Sequence, residues 1–291
     1  MTTPFVTVRE LTMGWGPVTL LENVSFEIER GEIFAILGAS GCGKSTLLRY
    51  LTGLDQPKGG TVEIEGIGRP TLEVGRPAYG VMFQSGALFG SLTVGENIAL
   101  ALVEWTKLPE AAVTAIVRAK LRLVGLAHAE HVKPSELSGG MKKRVAIARA
   151  MALEPELIFL DEPSSGLDPL SAVELDDLIL TLNATLGLTV VIVTHELPSI
   201  FKIATRCIIL DRPSRSILER GDPRVMRDQS ELPFVRRFLN RTGKDESTGD
   251  LPAASTPGAA APGPARASAP GPAAAQRTAK TQENKPDGGT Q

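Results

Sequence analysis

The stretch IFAILGASGCGKSTLL, residues 33–48, constrains this chain more than any other. A short apolar run leads into three glycines within six residues, and helix-forming residues follow at once. That order demands a strand, a tight loop and a helix start in immediate succession. Gly38, Ala39, Ser40, Gly41, Cys42, Gly43, Lys44, Ser45 and Thr46 fit the pattern G-x-x-x-x-G-K-[ST] in this context. Its glycines let backbone N–H groups curl around phosphates, its lysine reaches the outer phosphates, and the Ser45 hydroxyl is placed to ligate Mg²⁺. The competing reading is a ligand-free glycine turn between strand and helix.

The rest of the chain has to be compatible with that unit. FVTV, VSFEIE, TVEIE and YGVMF read as strands before Gln84. From about residue 90 to 153 the pattern turns helical, in VGENIALALVEW, PEAAVTAIVRAKLRLVGL and LSGGMKKRVAIARA. Alternation then returns with ELIFL, a helix at 169–186, TVVIVTH, a short helix at 197–204 and RCIIL. Continuous apolar strands alternating with helices predict a parallel sheet covered on both faces. An all-helical insert therefore sits inside an α/β core, and no internal repeat is visible.

The chain has 291 residues, 42% of them hydrophobic, enough for a full core. Its net charge of −2 gives no bulk attraction to nucleic acid or anionic lipid. Cys42 and Cys207 are the two cysteines, and a disulfide at Cys42 would obstruct the glycine loop, so a reducing, cytosolic setting is expected. No apolar run approaches the roughly 20 residues that span a bilayer. Residues 1–240 read as the folded domain, and 241–291, rich in Ala, Pro and Gly, as a disordered tail.

Several residues stand at strand ends, where ligands of such folds collect. Asp161 and Glu162 close the run LIFLDE: Asp161 is placed to hold a Mg²⁺ shell, and Glu162 to act as general base on water. Alone, such a pair also reads as a solvated turn. His195 ends TVVIVTH and Gln84 ends YGVMFQ. In isolation these are a structural histidine and a surface amide; beside a phosphate loop they become a sensor of the terminal phosphate and a ligand of metal or water. The helix opened by Ser138 carries Lys142, Lys143 and Arg144 at the positive end of its dipole. That arrangement asks for an anionic partner.

Taken together, these motifs resemble the ATP-binding cassette (ABC) ATPases over residues 5–239. GASGCGKST is similar to the Walker A motif, Gln84 to the Q-loop, LSGGM to the signature, LIFLDE to the Walker B motif, Ser165-Gly166-Leu167-Asp168 to the D-loop and His195 to the switch histidine. The resemblance implies a P-loop NTPase core with an N-terminal antiparallel β subdomain and the helical insert. It also implies ATP and Mg²⁺ as ligands. Ser45, Gln84 and Asp161 would serve the metal, and Glu162, His195 and Gln84 hydrolysis. Trp15 stands where the family stacks an aromatic ring on adenine, and equally fits a half-buried packing residue.

The family's head-to-tail homodimer would place Ser138, Gly139, Gly140 and Asp168 of one copy on the nucleotide of the other, supplying the anion asked for above. Met141 replaces the usual glutamine and cannot donate a hydrogen bond. With FQSGALFGSLTVGENIA and DEPSSGLDP, it makes the chain most similar to the ATPase subunits of bacterial Mla-type phospholipid transporters. Those imply a membrane permease, a periplasmic MCE-domain partner, no nucleic acid, and a place on the cytoplasmic face of the inner membrane. Leu88, Phe89 and Leu92 fit a docking site for the permease, or ordinary core. Rival readings are a motor for an amino acid, sugar or drug, a soluble ABC ATPase of DNA or ribosome, and a regulatory subunit without catalysis.

Overall fold

Nine strands and eight α-helices make up the computed structural model, which describes residues 4–71 and 75–241. In chain order the first half runs β1 (Val6–Trp15), β2 (Val18–Ile28), β3 (Ile33–Gly38), α1 (Lys44–Leu51), β4 (Gly59–Ile64), β5 (Gly80–Met82), α2 (Val94–Trp105), α3 (Glu110–Leu123) and α4 (Gly139–Ala150). The second half runs β6 (Leu157–Asp161), α5 (Pro169–Leu186), β7 (Thr189–Val193), α6 (Leu197–Ile203), β8 (Arg206–Asp211), β9 (Ser216–Gly221), α7 (Pro223–Gln229) and α8 (Pro233–Asn240). The tail expected at 241–291 lies outside the described residues beyond Arg241.

The main sheet has the order β5-β6-β7-β3-β8-β9, parallel except for the β8–β9 edge pair. Every residue of β3, β6 and β7 is buried, which is why their sequences are unbroken apolar runs. The crossing order puts the ends of β5, β6, β7 and β3 side by side at one edge of the sheet. Everything expected at a strand end is therefore brought to one rim.

A second sheet, β2-β1-β4, is antiparallel throughout. β1 and β2 run longer than FVTV and VSFEIE suggested, because register shifts interrupt the alternation. Glu10 (φ 49°) and Asn23 (φ 53°) adopt left-handed backbone within them. Phe5, Leu11, Met13 and Phe26 on this sheet share a core with Leu47 and Leu51 of α1 and with Phe34 and Phe159 of the main sheet.

The helical insert has its own core of Val94, Ile98, Leu121, Leu137 and Val145, against which Leu88 and, from α5, Leu178 also pack. Thr93 and Glu96 form a reciprocal capping box at the start of α2. Asp168 caps α5 ahead of Pro169, the favoured first helical residue, and Gly187 (φ 64°) ends it. Among the described residues no helix is long and apolar enough to cross a membrane.

Candidate functional site

Four adjacent strands deliver the expected site residues. Gly38 ends β3, Gln84 lies two residues past β5, Glu162 follows β6, and Thr194-His195 follow β7. The registers Leu160↔Met82, Asp161↔Val193 and Ile36↔Val193 set them at one level.

The loop from Gly38 to Thr46 opens α1 with Gly43 as N-cap in left-handed backbone (φ 104°) and no side-chain cap. The first N–H groups of the helix are left free to meet an anion. At Gly38 (φ 145°) an added Cβ would lie 2.6 Å from the Leu210 carbonyl oxygen and from Cys42 Sγ, so only glycine fits. Lys44 is buried, and its Nζ donates to the carbonyls of Gly38 (2.9 Å) and Ala39 (3.1 Å). Its ammonium thus sits inside the loop it would share with phosphates. Cys42 is buried and free, and burial pushes its thiol pKa up against the pull of Lys44.

Beside this loop, Ser45 Oγ donates to Asp161 Oδ1 at 3.0 Å. Burial raises the Asp161 pKa, and that hydrogen bond opposes the rise. A hydroxyl and a carboxylate held this close, with the Gln84 amide on the neighbouring strand end, form a set of hard oxygen donors that suits Mg²⁺. Glu162, one residue on, is buried in left-handed backbone (φ 48°). Its N–H donates to the Val193 carbonyl, its carbonyl accepts from Ser165 N, and Oε1 meets His195 Nδ1 at 2.9 Å. Oε2 is buried and has no hydrogen-bond partner among the described residues. A carboxylate with one oxygen held and the other left without a partner keeps a lone pair that can accept a proton.

The cations at 142–144 required correction. Lys143 turns inward rather than toward an outside anion, and its Nζ donates to the carbonyls of Gln84 (2.5 Å) and Glu162 (3.1 Å). Arg144 pairs with Glu174 at 2.5 Å and donates to the Val124 carbonyl. Two of the three cations read as asking for an outside anion, Lys143 and Arg144, are thus taken up within the chain. Arg149, later in α4, donates to the carbonyls of Gly86 (2.9 Å) and Ala87 (2.6 Å). The fully buried Asn97 accepts from Phe89 N and donates to the Phe89, Leu92 and Thr93 carbonyls. Arg149 and Asn97 were missed from the sequence, where no local pattern marks a side chain that bonds a distant loop.

Among the described residues, no hydrogen bond or ion pair joins Ser138, Gly139, Gly140 or Asp168 to the glycine loop of the same chain. Ser138 Oγ accepts from Met141 N at 3.3 Å as the N-cap of α4. Asp168 accepts from Leu170 N, Ser171 N and Ser171 Oγ, and the Ser171 hydroxyl lowers its pKa most. Met141 is half-buried against the helical core. At the other end of the site, Tyr50 Oη donates to the Gly14 carbonyl and ties the end of β1 to α1, while Met13 lies 3.1 Å from where a Gly43 Cβ would be. This hairpin presents Trp15, 54% exposed, beside the loop rather than in the core. Phe89 is 56% exposed and, with Leu100 and Tyr79, lines a cavity of about 270 Å³; Leu88 packs inward and Leu92 is half-buried.

The family model for ABC transporters matches residues 21–165. The chain is 40% identical over 240 residues to the intermembrane phospholipid transport system ATP-binding protein MlaF of Escherichia coli K12, an alignment covering 81% of this chain and 88% of that protein. It is also 40% identical over 258 residues to the probable ribonucleotide transport ATP-binding protein mkl of Mycobacterium leprae, covering 84% and 73% respectively. Among solved structures, the ATP-binding cassette MJ0796, a dimer in a post-hydrolysis state with ADP and Pi, superposes with a TM-score of 0.66 at 31% identity. That match covers 75% of this chain and 98% of the cassette.

Proposed function

This chain belongs to the ABC transporter family and is an ATPase, and from that premise we propose that it works as a homodimer energising phospholipid transport. Its partners are a membrane permease and an MCE-domain protein, and it sits on the cytoplasmic face of a bacterial inner membrane. The observation that carries the hydrolytic part is Glu162, held by His195 through Oε1 and unsatisfied at Oε2. In hydrolysis the oxygen of a water attacks the terminal phosphorus of ATP. Its proton passes to Glu162 Oε2, and the bond to the bridging oxygen breaks to give ADP and phosphate. Lys44 exchanges the Gly38 and Ala39 carbonyls for phosphate oxygens. Ser45, Asp161 and Gln84 would hold a Mg²⁺ ion, which would supply charge neutralisation at the phosphate oxygens.

The separation of Ser138–Gly140 and Asp168 from the loop of their own chain supports a site completed by a second copy. Nucleotide then favours the closed pair because half its ligands exist only there. Exposed Phe89 and the groove beside it offer the permease an apolar seat next to the Gln84 loop. Phospholipid as cargo rests on Met141 in the signature and on the likeness to MlaF. The likeness to mkl favours a second reading, another small anionic cargo. Purifying the chain with its native membrane partner and identifying co-purifying lipids by mass spectrometry tests the first: phospholipid enrichment is expected, and its absence contradicts it.

A further inference from the structure

Lys143 is 8% exposed, an unusual place for an ammonium without a carboxylate bonded to it. Among the described residues its acceptors are two backbone carbonyls, and they belong to two different loops of the site. Gln84 follows β5 and Glu162 follows β6, so one charged nitrogen bridges adjacent strand ends from the helix above. Burial lowers the Lys143 pKa, and the charges of Glu162 and Asp161 work against that fall. A buried ammonium tolerates such a place only where its hydrogen bonds are well made.

The two ends of this bridge differ in character. At Glu162 the backbone is left-handed, a conformation that a non-glycine residue keeps only when its surroundings over-determine it. Val193, Ser165 and Lys143 supply the backbone bonds that do so, and Lys143 is the one that reaches in from the helical insert. At the other end, the loop from Gln84 onward is gripped by α4 through Lys143 and Arg149, and by α2 through Asn97. Ala87 in that loop is also left-handed (φ 47°), and Phe89 projects from it into solvent. A displacement of the loop therefore has a direct mechanical route to the peptide that aims the Glu162 carboxylate.

We propose that Lys143 is a positioning residue for ATP hydrolysis, fixing the Gln84 and Glu162 peptides relative to each other and so relaying the position of the 84–92 loop to the general base. This rests on the hydrolytic reading above and adds a residue to it. It also assigns Lys143 a role within one copy, distinct from any contact with a neighbour's nucleotide.

The test uses the full chain, with nucleotide binding read by titration of a fluorescent ATP analogue and turnover by phosphate release. Lys143→Met keeps the length of the side chain and removes every donor. Its expected behaviour is analogue affinity within twofold of the parent, KM for ATP nearly unchanged and kcat at least tenfold lower. Lys143→Arg, which keeps charge and donors, is expected to regain most of that kcat. A merely structural strut would lower thermal stability, binding and turnover together. Lys143→Met with kcat within twofold of the parent overturns the proposal, and so does Lys143→Arg as impaired as Lys143→Met. Should Lys143→Met fail to fold, Lys143→Leu, which also lacks any donor, is read by the same split, and unchanged kcat there overturns it. Glu162→Gln run in parallel separates the two levels: wild-type turnover in that variant sinks the hydrolytic reading, whereas its loss beside intact Lys143→Met turnover sinks only the relay.

Discussion

His195 Nδ1 lies 2.9 Å from Glu162 Oε1, and the other oxygen of that carboxylate, Oε2, is buried without a partner among the described residues. One residue holds and the other is held. The contact joins the ends of β6 and β7, neighbours in the sheet, so the orientation of the base is built into the strand order rather than left to a loop.

Glu162→Gln keeps the shape of the side chain and removes its basicity. Phosphate release is expected to fall by about 10²- to 10⁴-fold, roughly 3 to 5 kcal/mol of barrier, with ATP binding retained. Single-turnover assays with radiolabelled ATP measure this. Wild-type-like hydrolysis would remove Glu162 from its role.

Asp161 carries a stability cost in the nucleotide-free protein. Burial raises its pKa above the ordinary 3.8, so the folded chain binds that proton more tightly than the unfolded chain does. The stability this contributes is complete below the unfolded value and is lost as pH rises through the folded one. At pH 7 the ionised carboxylate is therefore a net burden. Asp161→Asn is expected to melt at or above the parent at neutral pH, with the difference narrowing as pH falls toward the carboxylate range, while hydrolysis drops by at least tenfold. A calorimetric melting point several degrees below the parent at pH 7 would refute this.

Much of this site was legible in the sequence because its chemistry sits in contiguous motifs at the ends of fully apolar strands. Gly38 to Thr46, Glu162 and His195 could be placed because an unbroken run such as LIFLDE marks both a buried strand and the residue that leaves it. The α5 boundaries followed from Asp168, Pro169 and Gly187, three local signals that agree. What local pattern cannot carry is the direction a long side chain takes. Lys143 and Arg144 were read as facing an outside anion because periodicity says nothing of acceptors 59 and 30 residues away. The bulged β1–β2 hairpin was read short for a related reason, since irregular register breaks the alternation by which a strand is recognised.

The apolar seat beside the Gln84 loop makes a separate claim. Phe89 is 56% exposed, so Phe89→Ser is expected to change folding stability by no more than about 0.5 kcal/mol. Basal hydrolysis and ATP affinity are expected to stay near those of the parent. Stimulation of hydrolysis by the reconstituted membrane partner is expected to fall several-fold; full stimulation would place the permease elsewhere.

Ser40 and Ser138 are both exposed, one on the glycine loop and the other opening α4. The direct trial is to mix two preparations, Ser40→Cys and Ser138→Cys, each carrying Glu162→Gln, and to add a short thiol crosslinker with and without MgATP. A site shared between copies gives a product of twice the chain mass that depends on MgATP and on both cysteines. Persistent single-chain mass in the presence of trapped MgATP contradicts it.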